Sequence, residues 1–247
     1  MEVRIEHNKL YFTVNLYQPI DISLPINENS VSAWNAPKMQ IKPAKDGNWV
    51  GDVLQGASVN FNNIFFNPHA HCTHTECVGH ISPNKEVLND KLKQYFFMSK
   101  LISVCPKKKN HDLVITKNMI KKLVDSHDNV DALIIRTLPN AKTKMSVNYS
   151  NTNPPYLLKE ALDYLVEINI KHLLVDLPSI DKEQDDGALV GHKSFWQFNK
   201  ETRLNCTITE FIYVDNNVKD DIYLLNLQFV PFSNDASPSR PVLFKLN

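Results

Sequence analysis

The stretch Asn67-Pro68-His69-Ala70-His71-Cys72-Thr73-His74-Thr75-Glu76-Cys77-Val78-Gly79-His80 gathers four of the chain's nine histidines, with one carboxylate and two thiols among them. Imidazole nitrogen and carboxylate oxygen are the usual ligands of a divalent transition metal, and a catalytic site takes about three of them and leaves a position open. In an extended backbone His74 and Glu76, two residues apart, project from one face and can grip one ion. His80 lies farther on, able to look back at the same place as a proton shuttle. Cys72 and Cys77 offer rival chemistries. As thiolates they could ligate a metal, although no second close pair completes a structural zinc site. As nucleophiles, either could work with His74 or His80 as base.

Such a site needs a fold large enough to hold it rigidly. With 247 residues and 43% apolar content the chain can build one extensive core, so a single domain over residues 1–247 is expected. Basic and acidic residues balance at 27 each, which excludes a whole-chain field for nucleic acid or an anionic membrane. The run Lys107-Lys108-Lys109 reads as a solvated loop. No signal-peptide core follows Met1 and no run approaches the roughly 20 apolar residues of a membrane span, so a soluble, cytoplasmic protein is expected. Four cysteines are too few for a disulfide scaffold.

Hydrophobic periodicity gives the order of elements. Leu10 to Val14 reads as a first strand or hairpin arm, and residues 42–56 as loop or hairpin. Residues 57–66 read as a strand delivering the chain to the histidine cluster, and Tyr95 to Val104 as a buried strand. Thr116 can cap a helix to Asp125. Asp131 to Thr137 is a strand apolar enough to be covered on both faces. Pro154-Pro155 opens a helix to about Glu167, and His172 to Asp176 is a strand, with His172 read as structural or surface. Strand, helix, strand implies a crossover packed on a sheet, hence the α/β class: a mixed β-sheet core with flanking helices. Thr207 to Val214, Ile222 to Phe229 and Val242 to Phe244 supply further strands. Glu210 interrupts an apolar strand, and a buried carboxylate requires a cation, whether lysine, arginine or metal.

The segment Thr73-His74-x-Glu76-x-x-x-His80 resembles the His-x-Gly-Thr-His-x-Asp-x-Pro-x-His motif of the cyclase family of metal-dependent hydrolases, which includes bacterial kynurenine formamidase. Four motif positions differ, carrying Ala70, Cys72, Glu76 and Val78 here. Asp176-x-Pro178-Ser179-x-Asp181, the later His192, Glu210, and Ser237-Pro238-x-Arg240 also resemble family segments in the family's order, so the similarity runs from about Asp21 to Leu246.

The resemblance implies the family's swivelling β/β/α fold and hydrolysis of a carbon–nitrogen bond in an amide, formamide or cyclic amide. It implies one or two divalent ions, zinc or alternatively manganese, a small-molecule amide substrate, and assembly as a homodimer or homotetramer. The implied ligands are His71, His74, Glu76, His192 and Glu210, with His69 the alternative to His71 beside the gap at Ala70. His80 becomes the catalytic proton shuttle and Trp34 a candidate pocket wall. The alternative function is a family member that has lost catalysis and serves as a binding protein, as Ala70 would suggest.

Overall fold

A computed structural model describes residues 1–247. Its centre is one eight-stranded mixed sheet: β1 (Ile20–Asp21), β2 (His74–Glu76), β3 (Phe96–Val104), β4 (Ala132–Thr137), β5 (His172–Val175), β6 (Thr207–Glu210), β7 (Ile222–Phe229) and β8 (Ala236–Lys245). The strands lie in the order β7-β3-β4-β5-β6-β2-β8-β1, and β7 also pairs with β8. That extra pairing closes the sheet into a barrel-like ring with β1 alongside it. Strands β3 to β6 run parallel to one another, and β2, β7 and β8 complete the ring through antiparallel pairs.

The parallel strands are apolar throughout because both of their faces are covered. Leu133 and Ile135 of β4 face outward into a core of 27 buried residues that includes Leu162, Leu165, Phe195 and Trp196. Ala132 and Ile134 alternate to the other face and join Leu101, Leu174, Leu225 and Leu243 inside the ring. The outer core lies beneath three helices, α2 (Lys117–Lys121), α3 (Lys159–Glu167) and α4 (Val190–Phe195), preceded in the chain by the single turn α1 (Pro68–His71). The mixed α/β class is therefore as expected, with the sheet more closed than a flat crossover would make it.

Several boundaries differ from the sequence reading, each for a local reason. The segment before the histidine cluster is a strand only over Asn62–Phe65, paired with Gln40–Pro43 away from the ring, and α1 intervenes before the site. The helix expected from Pro154 begins at Lys159, since a residue before proline avoids helical backbone and Tyr156–Leu157 pairs instead with Asp112–Ile115. Strand β6 ends at Glu210 because Phe211 takes a left-handed φ of 56° and directs its N–H to Leu177 O. Thr116 makes no capping hydrogen bond, and α2 stops at Lys121. The last strand, expected over Val242 to Phe244, begins as early as Ala236, and within it Arg240 Nε donates to Asp21 Oδ2 at 2.7 Å and ties β8 to β1.

His172 is structural. It begins β5, is buried against the Phe97 ring at 4.1 Å, and its Nδ1 lies 2.9 Å from Thr207 Oγ1. Burial pushes its pKa down to about 3, whereas an unfolded histidine titrates near pH 6.5. Between those values the unfolded chain binds a proton that the native chain refuses. The stabilisation is thus complete above about pH 6.5 and is lost on acidification toward pH 3. In urea unfolding, the wild type is expected to lose about 2 kcal/mol more than His172→Gln between pH 7 and pH 5, at roughly 1.4 kcal/mol per pH unit below 6.5. Equal losses in the two proteins would show that His172 titrates freely in the native state.

Candidate metal centre

Sheet register assembles the centre. Strand β2 lies between β6 and β8, with His74 opposite Glu210 and Pro238, and Glu76 opposite Ile208 and Ala236. Side chains directly opposite share a face. His74, Glu76 and Glu210 therefore point together to the helix-covered side, while Thr75 points the other way and meets Thr209 Oγ1 at 2.8 Å. Thr73 fixes the start of this arrangement: its buried hydroxyl donates to Phe211 O at 2.5 Å and accepts from Leu24 N at 2.8 Å.

The remaining groups arrive from three short segments. Asn67 caps α1 by accepting from His69 N, and Pro68 occupies the first turn. Residues two apart on a helix lie roughly 200° apart around its axis, so His69 and His71 must face opposite ways. His69 turns inward: its Nδ1 is 3.2 Å from Glu76 Oε2 and its Nε2 2.9 Å from Asp235 Oδ2. His71 turns away, its Nδ1 accepting from Asn67 N, toward a different cavity lined by Asn35, Lys38 and Ser150. The expectation that His71 belongs to the ligand set is corrected on this geometry, and His69 stands in the place next to Ala70.

His192 comes from α4. Asp181 accepts from Gly191 N (2.5 Å) and His192 N (3.0 Å) at the start of that helix, and from His192 Nδ1 at 2.6 Å. A Cβ at Gly191 would lie 2.7 Å from Asp181 Oδ1, so only glycine allows this grip. The grip aims His192 Nε2 at Glu76 Oε1, 3.1 Å away, with Glu210 Oε1 at 4.0 Å. His80, on a turn after β2, places Nδ1 3.4 Å from Asp235 Oδ2 and 3.7 Å from Glu76 Oε2.

Four imidazoles and four carboxylates thus form one cluster, of which His69, His80, Asp181, His192 and Glu210 line a partly enclosed cleft of about 310 Å³. Burial opposes ionisation of Glu76, but the imidazoles of His80, His192 and His69 hold its pKa well below the usual carboxylate range. Burial likewise works against the His192 cation, and Asp181 with Glu76 outweighs it, raising the pKa well above the ordinary value. For His69 the same contest, won by Asp235 and Glu76, lifts the pKa to about 10. The thiols lie outside the cluster. Cys72 Sγ faces Pro68 O and Cys77 Sγ faces Glu86 O, and burial pushes their pKa values up to about 12 and about 11.

Two buried atoms of the cluster have no hydrogen-bond partner, His74 Nε2 and Glu76 Oε2. Leaving a charged oxygen buried and unpaired is costly. His74 Nε2 is 3.5 Å from Glu210 Oε2, and Glu76 Oε2 is 3.2 Å from His69 Nδ1, near enough for attraction but not aligned as hydrogen bonds. Ligands on one tetrahedral zinc with bonds of about 2.1 Å are themselves about 3.4 Å apart. His69, His74 and Glu76 therefore fit a divalent ion, and the Glu76–His192 pair beside them lies close to both His80 and Glu210.

Trp34 stands on the rim of the cleft with Ser179, Lys182, Glu183 and Leu189. Its indole N–H donates to His69 O at 3.0 Å. Asp235 had no signal in the sequence, since nothing near Ala236 marks it, and only the pairing of β8 with β2 brings it to the cluster. Asp181 lay within a segment quoted for its resemblance, but its hold on His192 depends on the path of residues 182–190.

Residues 20–182 match the family described as "Putative cyclase". Among curated proteins the chain is 25% identical over 228 residues to the kynurenine formamidase of Bacillus thuringiensis subsp. konkukian (strain 97-27), covering 91% of this chain and 96% of the relative. It is 26% identical over 234 residues to that of Bacillus mycoides (strain KBAB4), covering 92% and 97%. Among solved structures it resembles an isatin hydrolase bound to the product analogue thioisatinate, with a TM-score of 0.66 at 15% identity, over 93% of both chains. A potential metal-dependent hydrolase with cyclase activity superposes with a TM-score of 0.65 at 18% identity, over 92% of this chain and 98% of the other. Fold, ordered sequence segments and matched length agree: the chain belongs to the Putative cyclase family and is one of its enzymes.

Proposed function

We propose that this chain is a metal-dependent hydrolase that cleaves the carbon–nitrogen bond of a small amide, formamide or cyclic amide. The observation that carries the reading is the pair of buried, unpartnered atoms His74 Nε2 and Glu76 Oε2 beside His69 Nδ1, a donor set with the chemistry and spacing of a divalent site. Relatives named for a formamide and a structural neighbour named for isatin, a cyclic amide, support the substrate class. His69, His74 and Glu76 would hold one ion. The other oxygen of Glu76, turned to His192, would share a second with His192 and Glu210. Nitrogen and oxygen donors without thiolate suit zinc, and also manganese.

A bound divalent ion supplies Lewis acidity toward a carbonyl oxygen and lowers the pKa of water to about 7. The protein's own groups do the rest. His80, whose side chain is 30% exposed at the cleft, takes a proton from attacking water and returns it to the leaving nitrogen, a task suited to imidazole near neutral pH. Asp181 keeps His192 facing Glu76, and the Trp34 ring offers an apolar wall for a planar substrate. His69 beside the gap at Ala70 supports a catalytic reading over the noncatalytic binding protein that the gap alone would suggest. The high pKa values of Cys72 and Cys77 weigh against a thiol nucleophile.

We also propose assembly of identical copies. The arm from Gln40 to Phe65 exposes Ile41, Trp49, Leu54, Phe61, Ile64 and Phe65, large apolar side chains that burial against a second copy would take out of water. No helix is long and apolar enough to cross a membrane. All four cysteines are unpaired, which suits work in the reducing cytoplasm.

Metal analysis of the purified protein, joined to assays on formamides and cyclic amides, tests the activity. The wild type should carry at least one equivalent of zinc or manganese, and His74→Ala should lose both metal and turnover; full activity after complete chelation would overturn the reading. His80→Gln should keep its metal while kcat falls by about 10² to 10⁴. An unchanged kcat would remove His80 from the chemistry. Light scattering should give a small multiple of 28.3 kDa, and a monomer at micromolar concentration would dismiss the assembly.

A further inference from the structure

We propose that Asp235 is a positioning residue that fixes which nitrogen carries the proton in two histidines at once, freeing His69 Nδ1 for the metal and His80 Nε2 for the substrate. The inference rests on the metal-hydrolase reading and extends it to a residue outside the expected ligand set.

The Asp235 carboxylate has no other duty. Its Oδ2 lies 2.9 Å from His69 Nε2 and 3.4 Å from His80 Nδ1, and it makes no other side-chain hydrogen bond. Its backbone is pinned: Cys77 N donates to Asp235 O at 3.0 Å, Leu88 N to Asn234 O at 2.9 Å, and the next residue, Ala236, pairs with Glu76. The oxygen is thus held at a set place between the two rings.

An ionised carboxylate only accepts hydrogen bonds, so each ring nitrogen that meets it must carry hydrogen. A neutral imidazole has one N–H, and its other nitrogen then presents a lone pair. Only the neutral ring can bind a metal ion, whatever the charge of His69 without one, and its lone pair is then on Nδ1, 3.2 Å from Glu76 Oε2. Glu76 Oε2, 3.2 Å from His69 Nδ1 though not aligned as a hydrogen bond, favours the wrong tautomer by its charge. Asp235, closer and on the opposite nitrogen, decides the contest. At His80 the two carboxylates act together, since Asp235 at 3.4 Å and Glu76 at 3.7 Å both lie at Nδ1, favour N–H there and leave Nε2 as the base, with Asp235 the nearer. Asp181 treats His192 in the same way but also serves as the N-terminal acceptor of α4, so only Asp235 can be changed without disturbing a helix. Carboxylates that orient metal-binding imidazoles typically contribute 10- to 100-fold in metal affinity.

The test compares wild type and Asp235→Ala, both loaded with zinc, by long-range ¹H–¹⁵N NMR of labelled histidines, chelator competition and steady-state kinetics. Alanine removes the one oxygen that meets both rings and leaves Glu76 as the carboxylate near each Nδ1. In the wild type, His69 should carry its proton on Nε2 and His80 on Nδ1. In the variant at least one ring should change tautomer, the zinc Kd should rise about 10- to 100-fold, and at saturating zinc kcat should fall with KM little changed. The metal-free variant should still unfold cooperatively, at a lower temperature because it has lost the carboxylate beside His69. Unchanged tautomers with a zinc Kd within about twofold would overturn the role of Asp235. Failure of the wild type itself to bind stoichiometric zinc or manganese would overturn the metal reading instead.

Discussion

Glu76 is a carboxylate with no solvent exposure, in the middle strand of three, and the site is built around the need to compensate it. Water cannot reach it and the backbone of β2 is committed to its neighbours, so its charge must be met by side chains. Three imidazoles supply this, and each comes from a segment of different kind: His69 from a one-turn helix, His80 from a tight turn and His192 from α4. Those segments have little else in common. Their shared dependence on one buried oxygen pair explains why the chain brings sequence-distant loops to a single edge of the ring.

A closed sheet makes this possible. The parallel strands β4 to β6 end on the side where Asp176, Glu210 and the loop to α4 lie, the place where α/β sheets generally bind ligands. Strand β2 enters against β6 from the opposite direction, so its first residue meets the last of β6 and puts His74 beside Glu210. Had β2 been parallel, His74 and Glu210 would lie at opposite ends of the pair. The antiparallel insertion therefore does as much for the site as the identity of its residues.

Much of this was legible because it follows from period two. His74 and Glu76 share a face in any strand, and Glu210 in an apolar run had to find a cation. The strands around Leu133, Leu174 and Leu225 announced themselves by unbroken apolar runs. His69 and His71 were not separable by that logic, since in a strand both would face one way. Their segment is a helical turn, set by Asn67 as cap and Pro68 behind it, and helical period sends the two rings apart. The cue was present in Asn67-Pro68, but a turn so short leaves no hydrophobic periodicity to reveal it.

The carboxylates that hold the imidazoles were the least visible, for a reason that separates them from the ligands. His74, Glu76 and Glu210 sit on strands whose pattern can be read, whereas Asp181 and Asp235 work through partners distant in sequence: Asp181 across the loop to His192, Asp235 across a strand pairing to His69. Their spacing carries no period, and an isolated aspartate in a polar loop is indistinguishable from a solvated one. What distinguishes them is their acceptor-only chemistry, set against imidazoles that can carry a proton on either side. A ring's useful nitrogen is chosen by what touches the other one. Which face each imidazole of this cluster presents is thus written into carboxylates that lie behind it.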